Sequence, residues 1–171
     1  MFKFKSGKEV SDSVGLLITI LVRYPEISKI NYEPENQMIK MTYLIKNTFS
    51  EEELDHSFGN LKECVLTFNY LQQNNNISVE TKYEINEDYI TLDLYRDIDT
   101  FTVSELNVII QLLHTDFPKS VIVDSNEFFY EDELQWQEEL ITDMLENLKK
   151  ALPLKKMLAF RDEGKVRVFD K

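Results

Sequence analysis

Hydrophobic and polar positions change rhythm several times along these 171 residues, and each change marks the edge of a predicted element. Residues 8–23 are apolar nearly all round in their middle, which predicts a deeply buried helix. Pro25 pushes Tyr24 out of helical geometry and ends it. Residues 27–33 and 38–46 alternate instead and predict a hairpin that turns at Pro34-Glu35-Asn36-Gln37. From residue 50 to about 73, Leu54, Phe58, Leu61, Val65 and Phe68 form one apolar stripe of a second helix, broken by Asn74-Asn75-Asn76. A second hairpin, 78–85 and 89–96, turns at Asn86-Glu87-Asp88.

Residues 103–116 predict a third helix presenting Leu106, Ile109, Ile110 and Leu113, with Phe117 and Pro118 at its end. Residues 120–124 read as a short buried strand and 126–130 as another. The fourth helix spans 131–150, turns Leu140, Ile141, Met144, Leu145 and Leu148 inward, and is stopped by Pro153. A last hairpin covers 157–169 around Asp162-Glu163-Gly164-Lys165, and Phe2 and Phe4 share one face of a short edge strand at 1–5.

One stretch of this pattern occurs twice. YEPENQMIKMTYLIKNTFSEEEL at 32–54 is matched by YEINEDYITLDLYRDIDTFTVSEL at 83–106, with one extra residue before the second Phe. In the first copy Ser50 and Glu53 have the spacing of a capping box, with Phe49 and Leu54 closing over it as a hydrophobic staple. Phe101, Thr102, Glu105 and Leu106 offer the same four roles. Ile39, Met41 and Tyr43 correspond to Ile90, Leu92 and Leu94.

The element order predicts an α+β fold of antiparallel sheet with helices on one face. Its first half reads βαββαβ, the ferredoxin-like order, and the second half duplicates it if 126–130 is extended. The expected division is 1–87 and 88–171, packed together as one compact unit.

Charge narrows the function classes. Nineteen basic against 31 acidic residues give a net of -12, which repels a phosphate backbone at long range. The last 23 residues, from Lys149, hold eight basic and three acidic residues, a net of +5, leaving -17 for the rest. With 4 Gly and 4 Pro there is little material for phosphate-binding loops, and one Cys allows no internal disulfide. The apolar run at 14–22 is far short of the roughly 20 residues that span a bilayer. A cytoplasmic protein is expected, with no membrane segment.

The candidate chemistry is sparse. His56 has Glu52 and Glu53 at helical metal-site spacing, although both acids are better explained by the helix start. Cys64 reads as a small core residue, and a nucleophilic role would need His114 close by. The aromatics at 128–130, with Phe117 and Tyr95, line either a pocket or the core. Phe160 and Phe169 lie among the lysines and arginines of the last hairpin. That strip reads either as a single-strand nucleic-acid surface or, preferably, as a basic hairpin packed on acidic helices of its own chain or a neighbour's.

The fourth helix carries Asp132, Glu139, Asp143 and Glu146 along one side, with Trp136 at its edge. An aromatic at the margin of an acidic face suits a protein interface, with a Trp capping the core as the alternative. The expected function is therefore a non-catalytic protein-interaction or regulatory module that binds a protein partner and forms a homodimer. No cofactor, metal or catalytic residue is expected, and a nucleic-acid role ranks below the others. The alternative is a small-molecule sensor or enzyme with its ligand between the two repeated halves.

Overall fold

The computed structural model describes residues 12–123, 130–150, 156–162 and 165–170. Four helices and six strands follow in the order α1 (Asp12–Arg23), β1 (Ile27–Glu33), β2 (Met38–Lys46), α2 (Glu51–Leu71), β3 (Val79–Ile85), β4 (Tyr89–Asp97), α3 (Val103–Asp116), α4 (Glu131–Lys150), β5 (Met157–Asp162) and β6 (Lys165–Asp170). The strands form one sheet in the order β3-β4-β2-β1-β5-β6, antiparallel at every junction. This is an α+β fold.

Period-two alternation sorts the strands into two faces. Ile27, Ile30 and Tyr32 of β1, Ile39, Met41, Tyr43 and Ile45 of β2, and Ile90, Leu92 and Leu94 of β4 are all buried on the helix side. On the opposite face stand Lys29, Asn31, Lys40, Asp93, Tyr95 and Lys82, with the hydroxyl of Thr42 donating to Asp93 at 2.6 Å in the middle. α1 lies over β1, β5 and β6, and α4 packs on its other side, so α1 is covered twice. That is why Leu16, Leu17, Ile20 and Leu21 are all buried and the helix is apolar nearly all round.

The ferredoxin-like order sets the strand at 78–85 beside one formed by residues 1–5. Residues 1–5 lie outside the described residues, and the partner of β3 is β4. β4 in turn pairs with β2 through nine consecutive residue pairs, from Met38↔Asp97 to Lys46↔Tyr89. The boundary at 87/88 falls in the turn of the β3–β4 hairpin. Of the strand expected at 120–124, residues 120–123 are described, and they contribute a bridge, Val121↔Ile45, where β2 runs past the start of β1. Of the strand expected at 126–130, only Tyr130 is described, and it lies outside any strand.

Helix starts follow their caps. Ser50 accepts from the Glu53 amide at 3.1 Å while the Ser50 amide donates to the Glu53 carboxylate, completing the box. Thr102 accepts from the Glu105 amide at 3.2 Å, yet the Glu105 side chain does not return to it. Glu105 is turned into the core, where it accepts two parallel bonds from Arg96, at 2.7 and 2.8 Å. Both side chains are fully buried.

Arg96 continues the inward row of β4 beyond Leu94, and all five of its N–H groups are used. Besides Glu105 they reach the Ser78 carbonyl, Asp97 and the Thr100 hydroxyl. Asn69 of α2 completes the cluster, donating to Glu105 at 2.7 Å and to the Val65 carbonyl at 2.9 Å. The α2 stripe therefore ends on buried Asn69 where Phe68 was expected. Tyr83 donates to Asp55 at 2.6 Å, which pushes its phenol up to about 12 and ties β3 to the start of α2.

Removing one member of a buried ion pair strands the other charge in the core. Glu105→Ala is expected to cost about 3–5 kcal/mol, and adding Arg96→Met to that variant is expected to recover part of the loss. Urea unfolding of the two singles and the double gives the coupling, and simple additivity of the losses would contradict it. Acid stability has a separate signature. Burial opposes the charge of Asp97, but the Thr100 hydroxyl, the Ser78 amide and Arg96 outweigh it and hold the carboxyl below its usual 3.8. A depressed pKa stabilises the fold above the unfolded value and is lost as pH falls through the lower folded value. Asp97→Asn is therefore expected to flatten the fall in stability below about pH 4, read from urea midpoints across that range.

Candidate functional site

α4 is built to show one side to solvent. Glu131, Asp132 and Glu133 fill its first turn and Lys149 and Lys150 its last, each sign favourable to the helix dipole at that end. Gln137, Ile141, Leu145 and Leu148 are its buried residues. Asp132, Trp136, Glu139, Asp143 and Glu146 then fall at steps of four and three along the other side, and all five are exposed. Trp136 is 63% exposed, so it does not cap the core.

Between this helix and the start of α3 lies an open groove of about 470 Å³. Val103, Ser104 and Asn107 line it from α3, and Gln135, Glu138, Glu139, Thr142 and Asp143 from α4. The end of α1 braces both walls. The Tyr24 hydroxyl donates to Asn107 Oδ1 at 2.8 Å, and burial raises the phenol so that it stays a donor. Arg23 donates to Glu138 at 2.6 Å while its guanidinium stacks 4.6 Å from the Tyr24 ring. Glu138 is thus neutralised from within.

Glu139 and Asp143, one turn apart, form no ion pair with any described residue. They face the groove as two carboxylates beside the hydrogen-bonding groups of Gln135, Thr142 and Ser104. Such a set accepts cations and N–H donors. Of the five expected interface residues, the fold brings Glu139 and Asp143 into the groove and leaves Trp136 beside it. Glu146 accepts from Lys149 at 3.3 Å. Ser104, Asn107, Gln135 and Glu138 join the groove only because α3 and α4 dock, and no periodicity within either helix announces that.

The remaining candidates fall elsewhere. His56 meets Asn60 at 3.2 Å and His114 meets Glu26 at 2.9 Å. No group of three or more His, Cys, Asp or Glu suited to a metal occurs among the described residues. Cys64 is half-buried. Phe117 sits in the core, 4.9 Å from the Phe49 ring and 5.5 Å from that of Phe58, whereas Tyr95 stands on the open sheet face. They do not share a pocket; Tyr130 is exposed, and Phe128 and Phe129 lie outside the described residues.

Among the described residues the basic hairpin meets the end of α1 and the sheet of its own chain. Arg161 donates to the carbonyls of Leu21, Tyr24 and Ile27, satisfying the end of α1 and the start of β1. Lys156 pairs with Glu33 and Arg167 with Asp162, while Phe160 and Phe169 stack at 5.6 Å. The hairpin lies beneath α1, which carries one acid and one base.

Charge is therefore segregated by layer. The four helices hold 15 acidic and 4 basic residues, a net of -11, and the six strands hold 7 acidic and 8 basic, a net of +1. Nearly all of the protein's -12 rests on the helix side, where the groove opens. No described helix is long and apolar enough to cross a membrane. Comparison with protein-family models, with curated proteins and with solved structures found no match.

Trp136 is the only tryptophan, which makes the groove margin visible on its own. Its fluorescence is expected to be that of a solvated indole, readily quenched by acrylamide. Emission shifted to short wavelength and shielded from acrylamide would place it in an apolar contact instead.

Proposed function

We propose that the chain is a cytoplasmic, non-catalytic protein-interaction module that self-associates and receives a basic segment of a protein partner in the groove between α3 and α4. The observation that carries this reading is the pairing of two unneutralised carboxylates, Glu139 and Asp143, lining an open groove, with Trp136 exposed on the same side of α4. Aromatic anchors flanked by complementary charge are the usual energetic centres of protein interfaces. The surrounding helix layer, at -11, steers a cationic partner toward that side and away from the sheet.

The two strand-strand-helix units, β1-β2-α2 and β3-β4-α3, are read as a duplication. Their matched cap residues and the placing of β2 beside β4 at the middle of four strands support it. The reading of a ligand held in a cleft between the halves has less support, because β2 and β4 close that junction with an unbroken ladder.

The test is capture from the host's own extract with the whole chain as bait, followed by mass spectrometry of what is retained. Trp136→Ala combined with Glu139→Lys and Asp143→Lys is expected to abolish a retention that high salt also removes in the parent. Thermal unfolding should be nearly unchanged, since exposed substitutions usually shift stability by less than about 0.5 kcal/mol. Retention of the same polypeptides by the triple variant would contradict the assignment of this groove.

A further inference from the structure

The outer edge of β3 has no neighbour among the described residues, and its sequence is self-complementary. Two bonds fix which of its backbone groups are free: Asn86 N–H to the Tyr89 carbonyl and Asp97 N–H to the Ser78 carbonyl, one at each end of the β3–β4 ladder. Antiparallel pairs alternate, so Glu80, Lys82 and Glu84 direct their amides and carbonyls to β4. Val79, Thr81, Tyr83 and Ile85 direct theirs out of the sheet. Edge strands are normally blunted by proline, a bulge or an inward charge. β3 has no proline or bulge, its charges Glu80, Lys82 and Glu84 stand on the open face with opposite signs interleaved, and its seven pairs with β4 run without a shift in register.

We propose that two copies of this chain join β3 to β3 in an antiparallel twofold pairing centred on Thr81, giving a dimer with one continuous twelve-stranded sheet. The inference rests on the self-association in the proposed function and gives that association a surface.

The register follows from the side chains. With Thr81 opposite its own copy, Glu80 of each chain faces Lys82 of the other on the open face, twice by symmetry. On the helix side Val79 meets Tyr83 and Ile77 meets Ile85 across the axis. Ile85 is 40% exposed in the single chain. Ile77 lies in the wall of an apolar cavity of about 380 Å³ that it shares with Leu66 and Tyr70 of α2, and Tyr70 is 69% exposed. The partner's Ile85 thus arrives where apolar surface is uncovered. Centring the pair on Lys82 sets Lys82 against its own copy and Glu80 against Glu84, and like charges directly opposed repel. Centring it on Tyr83 restores ion pairs but sets Val79 against the charged turn at Glu87. The other edge, β6, shows only Lys165 and Arg167 as charges on its open face, so no twofold there makes an ion pair.

The experiment is native mass spectrometry of the full chain at micromolar concentration. The parent is expected to be a dimer and Thr81→Pro a monomer with unchanged far-ultraviolet circular dichroism, because proline removes only the outward N–H. Lys82→Glu is expected to weaken the dimer by about tenfold or more, and Glu80→Lys with Lys82→Glu to restore it, since the swap rebuilds both ion pairs in this register alone. The two charge variants decide the matter should Thr81→Pro fail to fold. A dimer untouched by Thr81→Pro, or by Lys82→Glu, overturns β3 as the surface while self-association stands. A monomeric parent overturns both.

Discussion

The guanidinium of Arg96 against the carboxylate of Glu105 is the contact on which the arrangement of this fold turns. A charged pair with no exposure is tolerable only when every donor and acceptor is used, because each ion has been taken fully out of water. Here five N–H groups find five acceptors, and these come from the approach to β3, the end of β4, the loop after it and α3. Asn69 adds α2. A small displacement of any of these elements leaves a buried charge partly unpaired, so the cluster fixes one relative position for two helices and two strands where apolar packing alone accepts several.

That fixed position carries through to the surface. α3 is capped by Thr102, three residues before Glu105, so the orientation of Glu105 sets where the start of α3 presents Ser104 and Asn107. α1 then spans from the sheet to α4, and its last residue Arg23 and the following Tyr24 hold Glu138 and Asn107 on the two walls of the groove. The groove is thus shaped by the core and charged by the helix exteriors. The sheet's far face, near neutrality and partly self-paired through Lys156–Glu33 and Arg167–Asp162, contrasts with it. A basic partner meets the helix side first on electrostatic grounds alone.

Much of the local structure was legible in the residues because it depends on near neighbours. β1, β2, α3 and α4 have the bounds that alternation, Pro25, Pro118 and the lysine-rich helix end predict. Sheet order was not legible, since the pairing of β4 with β2 is decided by contacts about fifty residues apart. The second capping box failed for an instructive reason: Glu105 had two possible partners, and a buried guanidinium outcompeted the amide of Thr102. The signal was present in the alternation Ile90, Leu92, Leu94, Arg96, which carries a cation into the apolar row, and in Asn69 four residues after Val65. On α4 the acidic stripe and the neighbouring Trp136 were readable from spacing, whereas the groove required knowing which helix docks beside it.

The most direct measurement is hydrogen exchange, read by mass spectrometry, on the protein alone and with the polypeptide that the proposed capture experiment retains. If a basic segment lies between α3 and α4, exchange slows at the start of α3 and across residues 135–143, while the open sheet face is unchanged. Slowing confined to β1, β2 and β5, with α4 unaffected, would contradict the account and move the partner to the other side of the sheet.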